Sequence, residues 1–133
     1  MNIFLCYGQT GEDPKELRSD LRQVIHILYE RKHDVFCSLF KSTLYRTLGL
    51  DTYEKRLEYC LQIMSEYDQL LVITRSSNES NGVKKEVEEA KKLGKEIVVA
   101  QGVGFRRPPF LAHERSFFYS NIENLVAQIK SLY

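Results

Sequence analysis

The chain has almost no net charge and no long apolar segment. Its 19 lysines and arginines nearly balance 18 aspartates and glutamates, for a formal net charge of +1, so charge alone favours neither nucleic acid nor an acidic membrane as a partner. No apolar run reaches the roughly 18 residues of a membrane-spanning helix. The first residues lack the pattern of a signal peptide. These absences predict a cytoplasmic protein that binds neither nucleic acid nor a membrane.

Cysteine and histidine are also scarce. The three cysteines, Cys6, Cys37 and Cys60, are odd in number, and two of them lie in apolar runs typical of strands. This pattern favours buried, reduced thiols in a cytosolic protein over a disulfide framework. The three histidines do not have the spacing of metal ligands, so the sequence predicts neither a metal site nor a cofactor.

What the chain does contain is a regular alternation of apolar strands and amphipathic helices. Its 133 residues fit one domain, residues 1–133, without repeats or linkers. Short apolar runs predict strands at residues 2–7, 35–37, 69–74, 96–101 and 116–119. Apolar residues at helical spacing predict helices capped by Asp13 and Asp51, a third from about Asn81 to Leu93, and a last one from about Ile122. Residues 42–50 fit either a short helix or a mobile excursion.

This alternation predicts a parallel sheet, because right-handed crossovers place helices on both of its faces. Residues 72–73 and 97–100 are continuously apolar, as in strands that are covered on both sides. The expected fold is an α/β, doubly wound sheet of about five strands in the order 2-1-3-4-5, of the Rossmann or flavodoxin type. Ligands bind such sheets beyond the carboxyl ends of the strands, so the loops at 7–11 and 75–82 are expected to form the site together.

The second of these loops leads into a helix with a carboxylate near its start. Ser80, Asn81 and Gly82 form a small, glycine-containing turn after a predicted buried strand, and Glu86 lies about one turn inside the helix. Free backbone N–H groups at a helix N-terminus bind anions. A phosphate site beside a carboxylate suits chemistry on a sugar phosphate. The alternative is a polar connection with a solvated glutamate.

The first loop offers further candidates for substrate binding. Tyr7, at a strand end, either orients a nucleophile or stacks on a base, or it is a partly buried structural residue. Gly8, Gln9 and Thr10 follow it. The side chains of Gln9 and Thr10 either bind sugar or phosphate or belong to a plain turn.

A short motif around these residues carries a family resemblance. The motif is Ser80-x-Gly82-Val83-x-x-Glu86-x-x-x-Ala90, followed by Gly94-Lys95 and preceded by the first strand at 3–8. It resembles the nucleoside 2-deoxyribosyltransferase family, and within it the 2′-deoxynucleoside 5′-phosphate N-hydrolases, over most of the chain except residues 38–58. The resemblance implies a nucleoside or nucleotide substrate and a homodimer. It also implies that Glu86 attacks the anomeric carbon and that Ser80 and Gly82 hold the 5′-phosphate.

Two positions depart from that family's pattern. The family has an aspartate eight residues before the position of Asp68, where this chain has Cys60. The N-hydrolases have a tyrosine in strand one where this chain has Phe4. Tyr7 lies nearby, but alternation along the strand puts its side chain on the opposite side from Phe4. Both departures weaken the case for that family's exact substrate and for catalytic activity.

A second resemblance leads to the same type of reaction. Residues 4–7 with Gly11-Glu12-Asp13 are similar to the first box of TIR domains, which share the fold and some of which cleave NAD. TIR sequences commonly have a tryptophan two residues after their serine, where this chain has Gly82 and no tryptophan, which favours the first family. Cleavage or transfer at an N-glycosidic bond is therefore the expected activity. NAD cleavage by a TIR-like domain, or a non-catalytic nucleotide-sensing or interaction module, is the alternative.

The reaction explains why a glutamate is needed. Breaking an N-glycosidic bond creates an oxocarbenium-like centre, which a carboxylate stabilises or captures. Glu86 must be ionised for this, and a helix N-terminus is expected to favour the ionised form. Glu88 lies about 200° round the helix from Glu86 and should face solvent. Glu89 lies about 300° round, closer to the side of Glu86, so its position excludes it less clearly as the nucleophile.

Overall fold

The computed structural model describes residues 1–76 and 80–133, which form a five-stranded parallel sheet. The strands are β1 Asn2–Tyr7, β2 Asp34–Cys37, β3 Gln69–Thr74, β4 Glu96–Gly102 and β5 Arg115–Tyr119. They are hydrogen-bonded in the order β2-β1-β3-β4-β5, and every neighbouring pair is parallel. The predicted doubly wound α/β fold and its strand order are confirmed. β1 lies inside the sheet, between β2 and β3.

Five α-helices accompany these strands in the described part of the chain. They are α1 Pro14–Glu30, α2 Ser42–Thr47, α3 Tyr53–Ile63, α4 Asn81–Lys92 and α5 Ile122–Leu132. Short 3₁₀ turns at Ser38–Phe40, Met64–Glu66 and Pro109–Leu111 complete the connections. The bounds of β1 and β3 are those predicted, and the other strands differ by one residue. The segment that the sequence left open contains the short helix α2.

The sheet separates two hydrophobic cores. Alternation along β1 sends Ile3, Leu5 and Tyr7 into the core with α1 and α5, and Phe4 and Cys6 into the core with α3 and α4. The expectation that Tyr7 and Phe4 point to opposite sides is therefore confirmed. As a consequence, the side chain of Cys6 faces the helix that carries the candidate glutamate.

One of the two predicted helix caps is observed and the other is not. The Asp13 carboxylate accepts from the backbone N–H of Lys15 at 2.9 Å and begins α1. The prediction that Asp51 caps α3 is wrong, because the Thr52 hydroxyl accepts from the backbone N–H of Lys55 at 3.2 Å. Thr52 directly precedes the first helical residue and so takes the capping position. Asp51 instead forms an ion pair with the Lys55 ammonium at 2.8 Å.

The cysteines are buried and unpaired, as expected: Cys6, Cys37 and Cys60 are all free thiols. Within residues 1–76 and 80–133, no group of three or more His, Cys, Asp and Glu side chains is arranged to hold a metal ion. No helix in these two ranges is both long enough and apolar enough to cross a membrane.

Candidate active site

A cavity of about 380 Å³ opens at the carboxyl end of β1 and is lined by residues of β1, α3 and α4 and of the segment that joins β2 to α3. The structure brings four of the predicted site residues together in its wall: Tyr7, Gln9, Gly82 and Glu86. They come from the end of β1, from the loop that follows it and from the first two turns of α4. These two segments, far apart in the sequence, meet because β1 and β3 are neighbours in the sheet.

The remaining predicted residues lie outside this cavity. Gly8 and Ser80 line a smaller cavity of about 30 Å³, and a Cβ atom placed on Gly8 would lie 3.6 Å from the Cβ of Ser80. Thr10 and Asn81 are exposed and line neither cavity. Residues 77–79 of the predicted loop lie outside the described residues. The two loops are thus in contact, but only part of each faces the large cavity.

Glu86 carries the carboxylate of the large cavity. Burial raises the pKa of Glu86 to about 8, against the opposing effect of a hydrogen bond from the Cys6 thiol. This corrects the expectation that the helix N-terminus keeps Glu86 ionised at neutral pH. The influence of a helix terminus falls off within the first turn, whereas Glu86 lies in the second turn of α4, where it is half-buried and its carboxylate faces the cavity wall rather than open solvent. Desolvation therefore dominates its pKa.

Neutral thiols and phenols surround this carboxylate. Burial, followed by the charge of Glu86, raises the pKa of Cys6 and of Tyr53. The charge of Glu86 also adds to the effect of burial on the pKa of Tyr7, Tyr45 and Cys60. These groups keep their protons at neutral pH, so the surroundings of Glu86 offer hydrogen-bond donors without a competing negative charge.

The neighbouring glutamates of α4 are placed differently. Glu88 is exposed, as its position round the helix predicts. Glu89 is partly exposed, and neither residue lines the cavity. Among the three glutamates of this helix segment, the geometry therefore distinguishes Glu86.

Tyr7 is both a residue of the cavity wall and a residue of the hydrophobic core. Its side chain lines the cavity, yet it is only 9% exposed and belongs to the core beneath α1. Its hydroxyl forms a hydrogen bond with the Cys37 thiol, and burial raises the pKa of the Tyr7 phenol far above its usual value. Tyr7 is therefore a neutral and well-fixed part of the cavity wall.

The start of α4 is shaped by a tyrosine that the sequence did not single out. The Ser80 hydroxyl accepts from the backbone N–H of Val83 at 3.4 Å and caps the helix. A Cβ atom added to Gly82 would lie only 2.3 Å from the hydroxyl oxygen of Tyr53. The missing side chain at position 82 thus leaves room for the Tyr53 ring, which extends the cavity wall from α3.

This contact predicts a coupling between positions 82 and 53. Gly82→Ala should be less favourable when Tyr53 is present than when it is absent, because the new methyl group displaces the Tyr53 hydroxyl, the tip of a side chain that is 57% exposed. In a Tyr53→Phe background the same change should be neutral, or stabilising by up to about 1 kcal/mol, since alanine favours helix over glycine. Denaturant unfolding of the four proteins should give a coupling free energy of about 0.5–3 kcal/mol.

A matched control uses another tyrosine of α3. Tyr59 contributes none of the three atoms nearest to the added Cβ, so Tyr59→Phe should leave the effect of Gly82→Ala unchanged. Equal effects of Gly82→Ala in the wild-type protein and in the Tyr53→Phe variant would contradict this account of the glycine.

The part of the cavity wall that α3 and the segment before it form comes from residues that sequence reasoning missed. The Tyr45 hydroxyl forms hydrogen bonds with the Ser38 hydroxyl and, at 3.4 Å, with the Cys60 thiol. The Arg56 guanidinium carbon lies 5.6 Å from the centre of the Tyr45 ring. Most of these residues belong to 38–58, where no family motif aligns. The remaining signal was the spacing of Tyr53, Arg56 and Cys60, which puts all three on one face of α3.

An ion-pair cluster fixes the loops on the other side of the sheet edge. The Arg75 guanidinium lies 2.6 Å from an Asp20 carboxylate oxygen and 3.4 Å from one of Glu12. Arg75 follows β3, whereas Glu12 belongs to the loop after β1. The Tyr119 hydroxyl donates to the carbonyl of Thr74 at 3.0 Å. The contact between Arg75 and Glu12 joins the two loops that border the site.

Comparisons with known proteins support the architecture. No family model matches the chain, and no curated protein matches its sequence. Among solved structures, the CMP N-glycosidase BcmB of Clostridium botulinum matches with a TM-score of 0.74 and 12% identity, over 100% of both chains. A conserved protein from Enterococcus faecalis V583 matches with a TM-score of 0.63 and 13% identity, over 100% of this chain and 99% of that one.

A third similar structure belongs to a different class of enzyme. A phosphoheptose isomerase from Francisella tularensis matches with a TM-score of 0.56 and 15% identity, over 98% of this chain and 70% of that one. At such identities the three matches establish the fold, which proteins of different activity share. The activity has to be argued from the cavity.

Proposed function

We propose that this protein cleaves the N-glycosidic bond of a nucleoside or nucleoside 5′-monophosphate, with Glu86 as the nucleophile. The observation that carries the proposal is the Glu86 carboxylate, which faces a cavity of about 380 Å³ and is hydrogen-bonded by Cys6. A cavity of this size suits a small ligand. The full-length similarity to a CMP N-glycosidase supports the same class of reaction.

The reaction proceeds in two steps on this carboxylate. In the first, an oxygen of ionised Glu86 forms a bond to the anomeric carbon, while the bond from that carbon to the base breaks and its electron pair goes to the base. In the second, water attacks the same carbon while the bond from that carbon to the Glu86 oxygen breaks, which releases the sugar and the free carboxylate. The proton that the water loses balances the proton that the departed base takes up from solvent. Cys6 acts as a positioning residue, since its hydrogen bond fixes the direction of the carboxylate.

The start of α4 is the proposed phosphate site. The first N–H groups of a helix lack partners within the helix and favour an anion. Gly82 lines the cavity four residues before Glu86, and Ser80 is in contact range of Gly8. A 5′-phosphate bound there would bring the attached sugar towards Glu86. The homodimer and the cytoplasmic location stay predictions from the sequence.

A substrate panel tests the proposed function. Nucleosides, their 5′-monophosphates and NAD are each incubated with the protein, and the released base is measured by chromatography. We expect base release from at least one nucleoside or mononucleotide, and tighter binding of the monophosphate than of its nucleoside if the start of α4 holds the phosphate.

The outcomes of this panel separate the alternatives. Equal affinity for nucleoside and monophosphate would refute the proposed phosphate site at the start of α4. It would not contradict the proposed cleavage of the N-glycosidic bond. Release of nicotinamide from NAD alone would favour the TIR-like alternative. Nucleotide binding without any base release would favour the alternative that the protein is a non-catalytic nucleotide-sensing module.

A further inference from the structure

A second cavity lies between α1 and β2, the strand at one edge of the sheet. Its volume is about 390 Å³, within the range of small-ligand sites. None of the described residues that line it also lines the Glu86 cavity, so this α1–β2 groove is a separate place for a ligand. Its polar and aromatic lining residues are Arg22, His26, Tyr29, Phe40 and Lys41.

Two arginines of α1 meet at this groove without a carboxylate partner. Arg18 and Arg22 lie one helical turn apart, and their guanidinium carbons are 5.6 and 5.3 Å from the centre of the Phe40 ring, within the range of cation–π contacts. In the described part of the chain neither arginine forms an ion pair, whereas His26 contacts Glu30 at 2.9 Å. Like charges one turn apart repel each other, so a bound anion would stabilise this pair.

An exposed aromatic ring lies further along the same face of α1. Tyr29 is 50% exposed, and its hydroxyl donates to the carbonyl of Val35 at 3.3 Å, which holds the ring at the groove. The seven-residue step from Arg22 to Tyr29 corresponds to about 10 Å along a helix. This separation is comparable to the distance from the base to the phosphate chain within one nucleotide.

We propose that the α1–β2 groove binds a nucleoside di- or triphosphate, with its phosphates on Arg18 and Arg22 and its base stacked on Tyr29. Guanidinium groups bind phosphate oxygens through paired hydrogen bonds, and aromatic rings bind bases of any type by stacking. A chain of two or three phosphates can contact both guanidinium groups at once. The proposal does not depend on the reaction assigned to Glu86, because the two cavities have no described lining residue in common.

The experiment separates the phosphate contact from the base contact. Binding of ATP, inorganic tripolyphosphate and adenosine is measured by titration calorimetry in magnesium-free buffer at low salt. The variants are Arg18→Gln, Arg22→Gln and Tyr29→Ala, all at exposed positions. The control is Lys92→Gln, which removes the same charge from an exposed residue of α4, on the other face of the sheet. Circular dichroism verifies that each variant is folded.

We expect the wild-type protein to bind ATP more tightly than tripolyphosphate, and adenosine most weakly. Arg22→Gln should lower the affinity for ATP and for tripolyphosphate by about 10-fold, as is usual for the loss of one hydrogen bond to a charged group, and Arg18→Gln should act in the same direction. Tyr29→Ala should lower the affinity for ATP by about 5- to 20-fold but leave tripolyphosphate unchanged, since only the base stacks. Lys92→Gln should match the wild-type protein.

Amide chemical shifts of the ¹⁵N-labelled protein identify where ATP binds. Shift changes in residues 18–29 and 40–41 would support the groove, whereas changes confined to residues 82–86 would place ATP in the Glu86 cavity and overturn the proposal. It would also be overturned if neither ATP nor tripolyphosphate binds, or if both arginine variants keep the wild-type affinity. Tighter binding of an oligothymidylate than of ATP would assign the groove to single-stranded nucleic acid instead.

Discussion

Replacing Glu86 by glutamine is expected to lower the rate of base release by about three or more orders of magnitude, while nucleotide binding persists. Glutamine keeps the shape and hydrogen bonding of the side chain but cannot form the covalent intermediate or balance the positive charge at the anomeric carbon. The lost interaction exists mainly in the transition state, so kcat should fall far more than affinity. Single-turnover base release and a binding titration measure the two quantities separately.

Glu88→Gln is the matched control for this experiment. It makes the same chemical change two residues along α4, on a side chain that is exposed and outside the cavity. It should leave base release within about twofold of wild type, as is usual for exposed positions. Comparable rates for wild type and Glu86→Gln would show that another group carries the reaction.

The pH dependence of base release should report the raised pKa of Glu86. Since burial raises that pKa to about 8, only a minority of the free protein holds the ionised nucleophile at neutral pH. We expect kcat/KM to rise about tenfold per pH unit below pH 8 and to level off above it. A profile that levels off near the ordinary value of 4.5 would mean that Glu86 is ionised in the folded protein or is not the nucleophile.

The same pKa can be measured through stability. Glu86 ionises near 4.5 when unfolded but only near 8 when folded, so the folded state binds its proton more tightly. The pKa shift therefore does not affect stability below the lower value. Between the two values it lowers the free energy of unfolding by about 1.4 kcal/mol per pH unit, and above the higher value its effect is constant. The stability of Glu86→Gln relative to wild type should increase across this window. A constant difference from acid to alkaline pH would contradict the raised pKa.

Much of the architecture is determined by local patterns in the sequence. The apolar runs of β1 and β3 have the predicted bounds, and the alternation of strands with amphipathic helices gave the parallel order β2-β1-β3-β4-β5. Helical spacing also separated Glu86 from Glu88, because a two-residue step turns a side chain more than halfway round a helix. These features depend on backbone geometry and solvent exposure, which repeat at fixed periods along the chain.

The chemical state of the site was decided only by tertiary structure. A helix N-terminus in isolation favours an ionised Glu86, but the fold withdraws that carboxylate from water and raises its pKa to about 8. Tyr53 and Arg56 became part of the cavity because the segment between β2 and β3 packs back over the end of β1. The periodic spacing of apolar residues along the sequence does not predict such contacts. Desolvation and charge pairing depend on which distant segments meet, and the sequence alone did not reveal those partners for residues 38–58.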